Sequence, residues 1–322
     1  MAKFGVGQSV KRKEDDNLLR GKGIFQEDLH IPGQAYAHFL RSPHAHANIV
    51  SIDTSTASTM PGVIAIFTGD DIEADGLGTV PCVMDAFVPL TRPDGSPRYY
   101  PPNYLLPSER VRHAGEALAM VVAETVTQAR DASEAISVSY TALPHVVETA
   151  AAEAADAPRI WEDAPNNLSF YWEHGDRAAV DAAFQMAAHK VELDLVNSRL
   201  IVNPIETRGA IGEYDEASGR YTLHTNTQHV FETRAIIQEI LGVEEKNLRI
   251  LSPQLGGGFG MKHMVHPEQP LVAWAARKTG RPVKWMSERS EGFLSDTQAR
   301  DHVTHAELAL DVEGNFLAIR VS

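Results

Sequence analysis

Residues 115–140, GEALAMVVAETVTQARDASEAISVSY, decide the fold because this one stretch contains a strand, a helix and a strand. The apolar run Ala117–Ala123 predicts a buried strand. Thr125, with Gln128 three residues later, forms a capping-box pattern that predicts the start of a helix. The alternating residues 136–140 then predict a second strand, so this part of the chain mixes helix and strand.

Both flanks of this stretch continue the mixed pattern. Upstream, short apolar runs predict strands, and downstream alternating runs around Ser218-Gly219 predict a hairpin. Amphipathic spacing predicts further helices, one of which ends at Gly242. The predicted strands are 36–40, 63–67, 210–214, 221–225 and 248–251, and the predicted helices begin near residues 180, 230 and 268. The fold class is therefore α+β.

An alanine-rich acidic segment divides the chain. Residues 149–158, TAAAEAADAP, follow one regular unit and precede another, which predicts a linker. We therefore expect one domain at 1–148 and another at 159–322, since about 100–200 residues is a common domain size.

Charge and composition exclude several kinds of partner. The formal net charge is −14, from 29 basic and 43 acidic side chains. This negative net charge argues against nucleic acid and anionic membranes as binding partners, because surfaces that bind phosphate groups need clustered lysine and arginine. No apolar run approaches the roughly 20 residues of a membrane span, and a cytoplasmic protein is expected. Cys82, the single cysteine, is predicted to be a buried structural residue.

A glycine-rich segment is the first candidate functional site. Residues 254–262 read QLGGGFGMK and lie between a predicted strand and a predicted helix. Consecutive glycines let backbone amides approach a bound anion or oxo group closely. The spacing fits neither a phosphate loop nor a dinucleotide fingerprint, so a nucleotide-binding protein is disfavoured. A purely structural turn remains an alternative.

Two other segments contain candidate polar residues. Gln228, in TNTQ, also lies where a strand meets a helix, and ligands gather at the carboxyl ends of strands. Gln228 and the glycine-rich segment are therefore expected to share a pocket, although a surface or capping role for Gln228 is the alternative. Glu206 and Arg208 form either an ion pair at a turn or part of a functional site.

The histidines do not predict a metal centre. His263 and His266 are three residues apart, and no third ligand is evident near them in the sequence. We therefore predict no direct metal ligand and assign no catalytic residue.

Several segments together resemble the molybdopterin-binding large subunit of the xanthine oxidase and aerobic carbon monoxide dehydrogenase family. These segments are RGKGIFQEDLHIPGQAYAHFLRSPHAHANI, MPGVIAIFTGDDI, GEALAMVVAET, ASEAISVSYTALP, NPIETRGAIGEYD, TNTQ, QLGGGFGMK and ERSEGFLSDTQARDH. Their order and spacing extend over nearly the whole chain.

The resemblance implies an α/β hammerhead domain followed by the first part of a molybdopterin-binding domain. It implies that Gln228 hydrogen-bonds an oxo ligand of molybdenum and that Gly257, Gly258, Phe259 and Gly260 supply backbone contacts to molybdopterin. Whether the cofactor is the cytosine dinucleotide form stays open, and binding is expected in the complete assembly. The implied partners are an iron–sulfur subunit, an FAD subunit, a C-terminal molybdopterin-binding portion and a small-molecule substrate.

The implied activity is oxidative hydroxylation with water, or CO oxidation. His263 replaces the glutamate of purine-oxidising relatives, which favours the carbon monoxide dehydrogenase-like branch. Family large subunits are more than twice as long, and their catalytic glutamate lies downstream of the region matched here. The chain is therefore expected to be inactive without that C-terminal half. The alternative is a non-catalytic binding or assembly module that retains the fold.

Overall fold

The computed structural model describes residue 7 and residues 9–82 and 89–322, which form a mixed arrangement of helices and strands. The strands are β1 Ala35–Arg41, β2 Ala47–Asp53, β3 Val63–Thr68, β4 Arg110–Val111, β5 Ala117–Ala123, β6 Ser137–Ala142, β7 His189–Asn197, β8 Leu200–Ile201, β9 Gly209–Asp215, β10 Arg220–Thr225, β11 Leu248–Leu251, β12 Val283–Met286, β13 Gln298–Ala299, β14 His302–Leu310 and β15 Phe316–Val321. The helices are α1 Asp15–Leu19, α2 Ser55–Ser58, α3 Gly69–Ala74, α4 Val126–Glu134, α5 Thr149–Ala152, α6 Arg177–Met186, α7 Val230–Leu241, α8 Glu268–Thr279 and α9 Arg289–Ser295. Short 3-10 turns lie at Pro165–Asn167, Glu245–Asn247 and Met261–His263.

The largest sheet has seven strands, in the order β11-β10-β9-β12-β1-β5-β3. Strand β1 runs parallel to β12, with Ala35 opposite Val283. On its other edge β12 pairs antiparallel with β9. Strands from both sides of the predicted linker therefore share one continuous sheet, while the division at 149–158 stays a prediction.

Strand β5 is buried along its whole length, as its apolar run predicts. Met120 and Val122 belong to the main core, while Ala119 and Val121 face the second core beneath α4. Helix α4 begins where the capping pattern predicts, because the Thr125 hydroxyl accepts a hydrogen bond from the backbone N–H of Gln128 at 3.2 Å. The strand after α4 joins a different sheet, since β6 pairs with β2 and not with β5.

The predictions for the second half are also confirmed at the level of single elements. Strands β9 and β10 form the predicted antiparallel hairpin. Helix α7 ends at Gly242, whose φ of 63° is the left-handed conformation that glycine adopts at little cost. Helix α8 packs so closely on β9 that a Cβ atom on Gly212 would collide with the backbone of Val272. In the first turn of α8, the Gln269 side chain donates to the Thr225 hydroxyl at 2.9 Å, which places the start of α8 beside the end of β10.

A separate three-stranded sheet has the order β15-β14-β7. Helix α6 packs on one of its faces, where the Arg320 guanidinium lies 4.6 Å from the centre of the Phe184 ring. The two-stranded pair of β8 and β13 connects this region to the loop that precedes β9.

Two further observations concern the predictions about Cys82 and about membrane-spanning helices. The prediction that Cys82 is buried is wrong, because its side chain is exposed and its sulfur lies 3.3 Å from an Arg98 nitrogen. Among the described residues, no helix has both the length and the apolar character needed to cross a membrane.

Candidate functional site

Buried polar side chains fix the carboxyl end of β10. The Thr225 hydroxyl donates to the carbonyl of Gly209 at 2.9 Å. The Asn226 side chain accepts from the Gly209 N–H at 3.0 Å and donates to the Thr207 carbonyl at 2.7 Å. These bonds tie β10 to the start of β9, so that the next residues leave the sheet in a defined direction.

The chain then turns outward at Gln228, just before α7. The Gln228 N–H donates to the carbonyl of Lys262 at 3.0 Å. The Gln228 side-chain carbonyl accepts from the N–H of Gly260 at 3.0 Å. A Cβ atom on Gly258 would lie 2.5 Å from that same Gln228 oxygen, so glycine is needed for the close approach. The two predicted segments therefore meet.

The glycine-rich loop has an unusual backbone. Gly257 and Gly260 have φ angles of +97° and +96°, and Phe259 has a φ of +51° although it has a side chain. Few residues other than glycine adopt positive φ, and such strain is often found at functional sites. The Phe259 side chain is also 76% exposed. The loop therefore holds its form through its backbone and not by burying this phenylalanine.

Four N–H groups at this junction have no acceptor among the described residues. Three are the successive backbone N–H groups of Gly257, Gly258 and Phe259. The fourth is the side-chain NH₂ of Gln228, whose oxygen already accepts from Gly260. Because an N–H can only donate, the Gln228 oxygen must face Gly260, and its NH₂ group must face away from it. The site thus presents neutral donors to an acceptor-rich group.

A buried ion pair between Lys262 and Glu206 stabilises the glycine-rich loop. The Lys262 ammonium donates to the Glu206 carboxylate at 2.9 Å and to the Glu206 carbonyl at 2.8 Å. The same carboxylate accepts from the N–H groups of Gly256 at 2.8 Å and Gln26 at 3.1 Å. Burial lowers the pKa of Lys262 from its ordinary value, and Glu206 opposes this effect. Sequence reasoning missed Lys262 and Gln26, because their partner lies far away in the chain.

Of the two alternatives for Glu206 and Arg208, the ion pair between them is not formed, because each binds another partner. Arg208 instead faces the start of α8 and binds Glu268 at 2.6 Å and Asp296 at 2.6 Å. Glu268 also binds Arg41 at 2.5 Å. The pKa of Glu268 is lowered despite its burial, since both arginines stabilise the carboxylate. This buried network joins α8 to β1 and to α9.

Comparisons with known proteins identify the family of this chain. The family model described as the molybdopterin cofactor-binding domain matches residues 160–322, half of the chain. The chain belongs to this molybdopterin-binding family. The family model for the α/β hammerhead domain of aldehyde oxidase and xanthine dehydrogenase matches residues 20–144. The predicted fold class, a hammerhead domain followed by part of a molybdopterin-binding domain, is therefore confirmed.

Curated relatives include the large subunits of a carbon monoxide dehydrogenase and of a nicotine 6-hydroxylase. The carbon monoxide dehydrogenase large chain of Hydrogenophaga pseudoflava is 31% identical over 100% of this chain and 40% of the relative. The nicotine 6-hydroxylase large subunit of Paenarthrobacter nicotinovorans is 33% identical over 98% of this chain and 37% of the relative. The chain therefore spans about 40% of the length of the large subunits it matches.

Solved structures of this family have the same fold. Quinoline 2-oxidoreductase from Pseudomonas putida 86 superimposes with a TM-score of 0.86 at 33% identity, over 98% of this chain and 38% of that one. A Cu,Mo-CO dehydrogenase superimposes with a TM-score of 0.88 at 32% identity, over 98% and 40%. The chain corresponds to an N-terminal portion of such molybdenum hydroxylase large subunits.

Proposed function

We propose that Gln228 and the loop residues Gly257, Gly258, Phe259 and Gly260 hold a molybdenum-containing molybdopterin cofactor. The single observation behind this proposal is the group of four N–H donors without acceptors at the junction of β10, α7 and the loop. Molybdopterin and the ligands of its metal are rich in acceptor atoms. Neutral, preorganised donors would orient such a group without protonating it.

These residues would bind and orient the cofactor through hydrogen bonds. The Gln228 NH₂ group would donate to an acceptor atom of the cofactor, and the three successive backbone N–H groups would bind a second part of it. When bound, the cofactor supplies the two-electron oxidation of the substrate. The Glu206–Lys262 pair would keep the loop in its donor-presenting form, because it fixes both Gly256 and Lys262.

The proposed reaction is oxidative hydroxylation of a small molecule with water, or CO oxidation. We favour the carbon monoxide dehydrogenase-like branch because His263 follows Lys262 and because relatives of that branch match the whole chain. The cytosine dinucleotide form of the cofactor and a cytoplasmic location remain expectations of this proposal. Electrons would leave through an iron–sulfur subunit and an FAD subunit.

The complete assembly would also include a complementary molybdopterin-binding portion. One face of the β15-β14-β7 sheet supports this requirement, because Val191, Leu193, Ile319 and Val321 are 54%, 55%, 63% and 59% exposed. The strand register aligns Val191 with Ile319, and Leu193 with Val321, across β14. An exposed apolar patch of this kind marks an interaction surface.

We propose that this apolar face binds the complementary portion. About 60% of the length of the large subunits that match this chain lies outside the matched 40%, and the complementary portion would come from that part. The opposite face of the sheet is unsuited to the same role, since its residues include Glu192, Asp194 and Arg320. The apolar face therefore has one proposed occupant.

The cofactor proposal is tested by co-expressing the chain with the complementary portion of a matching large subunit in molybdate-supplied cells. The wild-type complex should contain molybdenum and pterin, measured by elemental analysis and by fluorescence of the oxidised pterin. Gln228→Ala should lower the bound molybdenum and the turnover much more than the melting temperature. Equal losses of melting temperature and of activity would contradict the role of Gln228, and a stable complex without cofactor would favour a non-catalytic assembly module.

The interface proposal has its own matched pair of variants. Leu193→Glu places a charge on the apolar face and should prevent co-purification of the complementary portion, while the chain alone stays folded. Glu192→Lys, one residue away on the opposite face, should leave co-purification unchanged. Equal effects of the two substitutions would contradict the assignment of this face.

A further inference from the structure

His263, at the end of the glycine-rich loop, meets His229 and Glu232 from a distant segment of the chain. The Glu232 carboxylate lies 3.0 Å from the Nε2 atom of His263 and 3.7 Å from the Nδ1 atom of His229. The ligand atoms of all three side chains lie within 4.8 Å of one another. His266, which the sequence spacing places near His263, is instead buried and bound to the Met261 carbonyl at 3.2 Å.

The backbone fixes the positions of the two exposed histidines relative to each other. His229 follows Gln228, and His263 follows Lys262, and these two preceding residues are joined by a backbone hydrogen bond of 3.0 Å. The Thr227 hydroxyl strengthens this junction, because it lies 3.2 Å from the Lys262 carbonyl and accepts from the His229 N–H at 3.2 Å. The histidines therefore need little rearrangement to face a common point.

Glu232 completes the group from the first turn of α7. Glu232 is the third residue of α7 and His229 is the residue just before the helix, and their side chains approach to 3.7 Å. The side chains of His229, Glu232 and His263 are 53%, 38% and 32% exposed, so an ion in solution can reach them. The cluster is thus open on one side and rigidly supported on the other.

The donor set fits a divalent transition metal better than a hard cation such as Mg²⁺. Two imidazole nitrogens and one carboxylate oxygen are typical zinc ligands, with metal–ligand distances of about 2.0–2.2 Å. Tetrahedral ligands at that distance lie about 3.3–3.5 Å apart, and the two Glu232 contacts of 3.0 and 3.7 Å bracket this separation. The two imidazole rings, whose centres are 4.0 Å apart, need only side-chain rotation to converge.

We propose that His229, Glu232 and His263 form a binding site for one divalent transition-metal ion, with Zn²⁺ as the chemical match. Three protein ligands leave a coordination position free for water or another small oxygen or nitrogen ligand. A bound ion would also connect the first turn of α7 to the end of the glycine-rich loop. The three ligands include none of the proposed cofactor-binding residues, so metal binding here can be tested separately from cofactor binding.

The test uses the full 322-residue chain, stripped of metal and without a histidine tag. Co²⁺ is titrated first, since its visible spectrum reports coordination geometry, and Zn²⁺ is then added to displace it. The expected result is saturable one-to-one binding with the absorption of four-coordinate Co²⁺. His263→Ala and Glu232→Gln should each weaken Co²⁺ and Zn²⁺ binding by about tenfold or more.

The matched control is His305→Ala, because the His305 imidazole also contacts a carboxylate, that of Asp194, at 2.7 Å. Among the described residues, no third side chain that could bind a metal lies beside that pair. This control should bind both ions as the wild type does, and circular dichroism should show that every metal-free variant is folded. Absence of saturable binding by the folded wild type would overturn the proposal. So would binding that survives both Glu232→Gln and His263→Ala, since it would come from scattered surface histidines.

Discussion

Replacing Lys262 with methionine tests the support of the glycine-rich loop most directly. The ammonium contacts the Glu206 carboxylate at 2.9 Å and the Glu206 carbonyl at 2.8 Å, and the two side chains are 1% and 9% exposed. Methionine has a similar length, fills the same space and removes the charge. The substitution therefore leaves the Glu206 carboxylate buried without its cation.

The expected loss of stability follows from that unpaired carboxylate. Removing one partner of a buried ion pair costs about 3–5 kcal/mol. Glu206 keeps two N–H donors, from Gly256 and Gln26, so the lower end of the range, about 3 kcal/mol, is expected. A second substitution, Glu206→Gln, removes the uncompensated charge. The double variant should therefore regain part of the stability that Lys262→Met alone loses.

Urea unfolding followed by tryptophan fluorescence measures this change in the free energy of unfolding. Arg177→Met serves as the control, because Arg177 and Glu173 form an ion pair on the exposed surface and such pairs contribute little. A loss below about 1 kcal/mol for Lys262→Met would refute the reasoning, since typical buried pairs exceed that value. Strict additivity of the two substitutions would refute it as well, because it would mean that Lys262 and Glu206 do not interact.

Three further predictions concern other parts of the chain. Burial and neighbouring arginines lower the pKa of His38 to about 4. Because the unfolded chain binds this proton at a higher pH than the folded chain does, the free energy of unfolding is highest above pH 6.5 and falls as the pH drops towards 4. Relative to His38→Gln, the wild type should lose up to about 3 kcal/mol over that window, and equal pH profiles of unfolding would contradict this. Thr125→Ala removes the cap of α4 and should cost about 1 kcal/mol, whereas Thr127→Ala in the same helix should change the melting temperature little. Gly258→Ala should displace the Gln228 side chain and lower molybdenum content in the assembled complex while the chain stays folded, and full molybdenum content would contradict the close approach.

The local elements were largely predictable from the sequence. The apolar run of β5, the cap of α4 and the glycine end of α7 follow from interactions between residues a few positions apart. Such interactions depend on backbone sterics and on neighbouring hydrogen bonds, which the local sequence determines. The order of the strands was not predictable in this way, because the parallel pairing of β1 with β12 joins residues about 250 positions apart.

The candidate site shows the same division. The sequence alone singled out Gln228 and the glycine-rich loop, since donors near strand ends and runs of glycine are recognisable patterns. It did not show that Lys262 binds Glu206, that Arg208 binds Glu268, or that His229 and Glu232 lie beside His263. Cys82 was also misjudged, because the burial of one residue depends on which segments cover it.

The sequence by itself determined which residues could form strands, caps and donor-rich turns, and its ordered motifs indicated the family. The tertiary structure alone decided which charges are paired in the interior, which apolar sheet face stays exposed, and which histidines converge. The physical reason is that ion pairing, burial and metal coordination depend on distances of a few ångströms between remote segments. Those distances arise only when the strands from both halves of the chain assemble into one sheet.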